Sequence, residues 1–190
     1  MKKFLLTLIA STFFASAWMY SQNRVFKPFK VDVGFTYDMS TNDNYGSGVE
    51  IFIEPRYGIN DNFIVGLRIG GLFIGGGNVE MNFTSISVSA TTITPVLFTG
   101  EYCFSIENAR PFLGIGFGMY KRTIHSIDLS AMHGIFIGPT TETSLGFSPR
   151  VGLNVRHFRI AVIYNYAGKN ISNFLGIQFG FEFGGGRINK

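Results

Sequence analysis

The side chains of this chain that could do chemistry are few and widely spaced. Glu50, Glu54, Arg56, Arg68, Glu101, Arg150 and Glu182, with the amides Asn154 and Gln178, occur singly between apolar or small residues. Carboxylates and guanidiniums in such a mixture can neutralise one another in a polar network or line a narrow hydrophilic path. General acid–base work would need a pair at a fixed spacing, and none recurs. His125-Ser126, with Asp128 and His133 nearby, holds the residue types of a hydrolase. Adjacent residues on a strand point to opposite faces, however, and no nucleophile elbow surrounds the serine. His125, His133 and His157 show no metal-ligand spacing, and the single cysteine, Cys103, has no partner for a disulfide. Gly114-Ile-Gly-Phe-Gly118 lacks both the G-x-G-x-x-G form and a following helix. The residues therefore predict no catalytic centre, no cofactor and no metal.

The elements that must position these groups are strands. The segment Phe174–Phe183 has Leu175, Ile177, Phe179, Phe181 and Phe183 on one face and Gly176, Gln178, Gly180 and Glu182 on the other. The same alternation predicts strands at about 30–39, 49–57, 63–73, 86–104, 112–120, 144–155, 158–166 and 174–183. In each, one face is aliphatic and aromatic without break, while the other mixes glycines with lone charges. Phe occurs 21 times, Gly 24 times, and charged residues are only 15% of the chain. Mean hydropathy is +0.22, yet no apolar run approaches the ~20 residues of a membrane helix.

The N-terminus reads as a targeting segment. Met1-Lys2-Lys3 is a basic n-region, Phe4 to Phe14 an apolar core, and Ala15-Ser16-Ala17 a cleavage site. A signal peptide over 1–21, cut after Ala17 or Ser21, precedes a barrel over 22–183 and a periplasmic tail over 184–190. Losing Lys2 and Lys3 takes the formal charge from +4 to +2. The remaining basic residues are scattered, which argues against nucleic acid.

Short polar connections (58–62, 105–109, 156–157) alternate with others that are mostly longer (40–48, 75–84, 122–141, 168–173). With the N-terminus inside, the long connections fall outside and the short ones inside. Ten residues tilted by about 40° span roughly 25 Å, the height of an outer-membrane apolar band. Aromatics near the strand ends predict interface belts: Tyr57, Phe63, Tyr102, Phe104, Phe112, Phe158 and Phe183 at the turn side, and Tyr37, Phe73, Tyr120, Tyr166 and Phe174 at the loop side. The fold class expected is all-β: an eight-stranded antiparallel transmembrane β-barrel, an up-and-down meander in a bacterial outer membrane. The lone carboxylates and arginines, with Asn154 and Gln178, then face a lumen just wide enough for side chains to fill.

Glu54-Pro-Arg-Tyr-Gly-Ile-Asn-Asp-Asn-Phe-Ile-Val-Gly-Leu67, Arg110-Pro-Phe-Leu-Gly-Ile-Gly-Phe-Gly118, Phe147-Ser-Pro-Arg-Val-Gly152 and the last aromatic strand carry a resemblance. Over about residues 25–183 the chain resembles the small outer-membrane β-barrel family of OmpX/OmpA type, especially its Bacteroidetes porin-like or PorT-like branch. The resemblance implies insertion by the barrel-assembly machinery, which reads a terminal aromatic. Here Phe183 is followed by Gly-Gly-Gly-Arg-Ile-Asn-Lys190, a departure from that pattern.

Three functional readings follow. The first is a non-enzymatic, monomeric barrel with a largely plugged lumen and surface loops for structural or interaction roles. Its partners are outer-membrane lipid and lipopolysaccharide. The second is a narrow passive channel for ions or small solutes, and the third a lipid A-modifying enzyme. A soluble barrel of lipocalin type would turn its apolar face inward, against the pattern seen.

Overall fold

The computed structural model describes residues 25–41, 46–74, 80–82, 85–130, 135–169 and 171–188, with the backbone alone for 80–82, 85–89, 125–130 and 135–138. The strands are β1 (Phe29–Ser40), β2 (Gly48–Gly58), β3 (Phe63–Ile74), β4 (Glu80–Asn82), β5 (Ser85–Cys103), β6 (Ala109–Ser130), β7 (Ile135–Val155), β8 (Phe158–Asn165) and β9 (Phe174–Gly184). All pairings are antiparallel. β1 pairs with both β2 and β9, and β3 bypasses the short β4 to pair with β5. Eight strands thereby close into the up-and-down barrel that the alternation predicts, and β4 adds to β5 beyond the rim. The signal-peptide segment lies outside the described residues.

Alternation decides which face goes where. In β1, Lys30, Asp32, Thr36 and Asp38 are buried in the lumen, while Phe35 and Tyr37 face outward. Closure leaves no free edge inside the membrane-sized part, so every strand there has two neighbours. The turns at the short end are tight. Asn60 closes the β2–β3 turn by accepting from the backbone N–H groups of Asn62 (2.9 Å) and Phe63 (2.6 Å).

The long strands correct the sequence reading. β6 and β7 run to Ser130 and from Ile135, through most of the segment 122–141 read as a loop. Likewise Glu80–Asn82, inside the connection 75–84, is a strand. Polar β-branched residues such as Thr123, Thr140, Thr141 and Thr143 carry no apolar face, so alternation is silent where strand propensity persists. The β3–β5 ladder ends at Ile74↔Thr91, and the last β7–β8 contact is the bridge Phe147↔Tyr166. Beyond these points β4, β5, β6 and β7 stand above the barrel as a sheet of their own.

The aromatic belts also need correction. Phe112, Tyr120 and Phe174 point into the lumen, each less than 4% exposed. Their neighbours Leu113, Met119 and Leu175 take the outward positions, so alternation overrides the preference of rings for the interface.

Three prolines interrupt the ladders on the side where an N–H is missing. The β2–β3 pairing breaks between Ile53↔Ile69 and Arg56↔Gly66, beside Pro55. The β3–β5 pairing breaks between Ile69↔Val96 and Leu72↔Ile93, beside Pro95. The β7–β8 ladder stops at Arg150↔Ile163, beside Pro149. Proline cannot donate to a ladder, which accounts for all three.

Candidate functional site: the barrel lumen

Register brings like charges abreast. Asp32 on β1 lies opposite Glu54 on β2 and Glu182 on β9. Three carboxylates in one row repel, and each would be costly to bury alone. Arginines offset them, several reaching across the lumen. Arg150 on β7 donates to both oxygens of Glu54 at 2.7 and 2.8 Å, a bidentate pair. Thr99 donates to the same carboxylate at 2.8 Å. Arg56 donates to Glu182 at 2.9 Å and contacts Glu101. Lys30 adds a second cation on Glu182 at 3.1 Å.

Glu101 on β5 gathers three guanidiniums: Arg56, Arg150 through Nε at 2.9 Å, and Arg159 on β8. Arg159 also reaches Asp32 at 3.4 Å and stacks over Phe112, 3.9 Å from the ring centroid. Nearer the loop end, Arg68 binds Glu50 at 2.8 and 3.2 Å, the Gln178 side-chain oxygen at 3.0 Å and Thr36 at 3.1 Å. Its guanidinium lies over Phe52, 3.8 Å from the centroid. Tyr120 and Ser148 both donate to Asn165 Oδ1, whose amide donates to Asp38 at 3.3 Å.

Small residues make room for these groups. A Cβ on Gly180 would sit 2.5 Å from an Asp32 oxygen, and one on Gly114 would sit 2.7 Å from Glu101. Apolar clusters share the lumen with these charges, Ile64 lying opposite Glu101 and Ile163 opposite Arg150. Leu72, Ile74, Ile93, Leu97, Ile171 and Phe174 belong to one cluster with Tyr120, and Ile64, Cys103, Phe112, Ala161 and Ile163 form another.

The structure places Glu50, Glu54, Arg56, Arg68, Glu101, Arg150, Asn154, Gln178 and Glu182 in the lumen, each 8% exposed or less. Contacts link them in one network, with Asn154 joined through its Oδ1 to Arg159 at 3.4 Å. Sequence reasoning missed Lys30, Asp32, Asp38 and Arg159. The signal for them was present: Val31, Phe35 and Tyr37 outward put Asp32 and Asp38 inward, and Phe158, Ile160 and Val162 outward put Arg159 inward. The side chains of His125, Ser126 and Asp128, and the whole of His133, lie outside the described residues.

Outside, the wall is apolar. Phe98, Phe117 and Phe147 lie side by side on β5, β6 and β7, exposed by 74%, 59% and 40%. With the inside charged and the outside apolar, the surface is that of a barrel made for lipid.

No protein-family model matches the chain, and no curated protein matches it by sequence. Solved structures do match its fold. The Ail attachment invasion locus protein of Yersinia pestis is similar at 15% identity and TM-score 0.55, over 85% of this chain and 100% of its own. Neisserial surface protein A is similar at 15% identity and TM-score 0.58, over 84% and 98%. The outer membrane protein OprG of Pseudomonas aeruginosa matches at 14% identity and TM-score 0.52, over 86% and 99%. The chain thus has the fold of the small bacterial outer-membrane barrels.

Proposed function

We propose that this protein is a non-enzymatic barrel of a bacterial outer membrane, in the Bacteroidetes porin-like branch that its Glu54–Leu67 phrase resembles. Its lumen is plugged, and the sheet formed by β4 to β7 above the rim is its working surface. The observation that carries this reading is a lumen filled by paired charges with apolar side chains packed among them. Cross-lumen pairs such as Arg150–Glu54 and Arg159–Glu101 tie opposite walls together, which serves rigidity better than conduction.

The sheet above the rim supports an interaction role. Among the described residues, β7 from Ile135 to Thr143 pairs with β6 on one side and with no strand on the other. An open edge is a template for a partner strand. Ail, of the same fold, has been crystallised with the heparin analogue sucrose octasulfate. A polyanionic saccharide, lipopolysaccharide included, is accordingly the first ligand class to try on this sheet. The protein acts as a monomer and is inserted by the barrel-assembly machinery after loss of its signal peptide.

Single-channel recording on the refolded mature chain in planar bilayers tests the plug. The expected record is flat. Regular conductance steps that survive repurification would replace this reading with the narrow channel. Lipid A from cells with and without the protein should give identical mass spectra; a lost or added acyl chain would make it an enzyme.

A further inference from the structure

At the turn-side end the segments before β1 and after β9 meet across the barrel mouth. Val25 and Phe26 donate to the Asp61 carboxylate in the β2–β3 turn at 3.1 to 3.2 Å. Lys27 donates to Gly186 at 3.0 Å, and Ile188 donates back to Val25 at 2.8 Å. Gly184 and Gly185, at φ 80° and 65°, turn the chain out of β9 to make this crossing. Beside the crossing lies a cavity of about 220 Å³.

Its lining is cationic. Arg110, Arg156, His157 and Arg187 face it, with Asn154 at its inner wall. Among the described residues, none of the three arginines has a carboxylate within 4.0 Å. Arg110 donates only to main-chain oxygens, of Ser105 and Asp61, and Arg187 to that of Ile106. Two carboxylates line the cavity. Glu182 already serves Lys30 and Arg56, which leaves Glu107 against three guanidiniums. The Nδ2 of Asn154, a residue 5% exposed, is a buried donor without a partner.

A second observation concerns Arg156. Val155↔Phe158 closes a two-residue hairpin turn, and Arg156 holds its first position at φ 56°. Glycine, asparagine or aspartate suits that backbone better. Among the described residues Arg156 is the one non-glycine residue with positive φ. A charged side chain sits where local structure asks for none, and it faces the cavity.

We infer that this crevice binds an oxyanion of the phosphate class, held by Arg110, Arg156 and Arg187. The ligand is either a free phosphate compound or an anionic phospholipid headgroup entering from the leaflet. The outer wall there carries a ring cluster: His157 stacks on Phe181 at 5.7 Å, Phe158 meets Phe181 edge to face, and Phe183 lies tilted against it. The inference is independent of whether the lumen conducts.

The test uses the mature chain refolded in phosphatidylcholine nanodiscs. Arginine side-chain NMR signals are followed while inorganic phosphate is added. Signals of Arg156 and Arg187 should move saturably, and Arg156→Gly and Arg187→Gln should each weaken binding about tenfold. Arg156→Gly suits the turn, so it should keep the heat-modifiable mobility of the folded barrel. Discs containing phosphatidylglycerol separate the sources. Loss of the phosphate response there marks a headgroup site, and an unchanged response marks a soluble anion. No saturable movement, or unchanged affinity in folded Arg156→Gly, overturns the inference.

Discussion

Glu54 and Glu142 each pair with an arginine, but their surroundings make the pairs unequal. Glu54 is fully buried and accepts from Arg150 and Thr99, with Arg56 and Arg68 each 3.8 Å away. Glu142 meets Arg122 at 2.5 Å with its own side chain 40% exposed and that of Arg122 10% exposed. Removing one partner of a buried pair leaves an uncompensated charge and costs about 3–5 kcal/mol, whereas an exposed pair contributes at most ~1 kcal/mol. Glu54→Gln should therefore lower the urea midpoint in detergent strongly, and Glu142→Gln, at a half-exposed carboxylate, by less. Equal small effects would mean the lumen is hydrated enough to screen its charges. At this scale the sequence was legible wherever both faces of a strand were read. Arg68 and Arg150 stand out because they interrupt glycine and aliphatic runs. Asp32, Asp38 and Arg159 follow from the same period of two, yet their partners do not. Which carboxylate meets which guanidinium depends on closure, and closure brings together residues as distant as Glu54 and Arg150.

Among the barrel strands, β3 stands apart because both its ladders are broken, one beside Pro55 and the other beside Pro95. By contrast β1 is paired without a gap to β2 from Phe29 to Asp38 and to β9 from Lys30 to Ser40. Missing ladder bonds lower the cost of local opening. Amides of Leu67, Arg68, Gly70 and Gly71 should accordingly exchange with deuterium faster than those of Val33, Phe35 and Tyr37 at the same depth. Equal protection would show that side-chain packing alone holds β3 in place. The prolines are visible in the sequence, but their consequence is not. A proline in a strand has a missing N–H that faces one neighbour only, and the register decides which. Strand ends were readable to within two residues where an apolar face persists, as in β2 and β9. They were lost in β6 and β7, where threonines continue the strand with no lipid to face.

For the molecule as a whole, the decisive physical fact is inversion: charge inside, apolar surface outside. Hydrophobic burial in water cannot stabilise such a body, since its largest apolar area is left on the exterior. Lipid or detergent must cover that area, and the closed hydrogen-bond ladder must satisfy the backbone within it. A substitution at the outward centre separates this arrangement from a soluble barrel. Phe98 pairs across to Phe117 and Leu67, and is the most exposed large apolar side chain of the wall. An arginine near the bilayer midplane costs about 2–4 kcal/mol. Phe98→Arg should thus lower the folded fraction in phosphatidylcholine vesicles, read as the heat-modifiable band on a gel. Phe104→Arg, past the end of β5 at the turn-side rim, should cost ~1 kcal/mol or less, since the penalty falls toward the interface. A soluble barrel would respond in the opposite sense, gaining solubility in plain buffer from Phe98→Arg and showing no dependence on depth. The depth dependence is the stronger discriminant, because only a bilayer supplies a midplane.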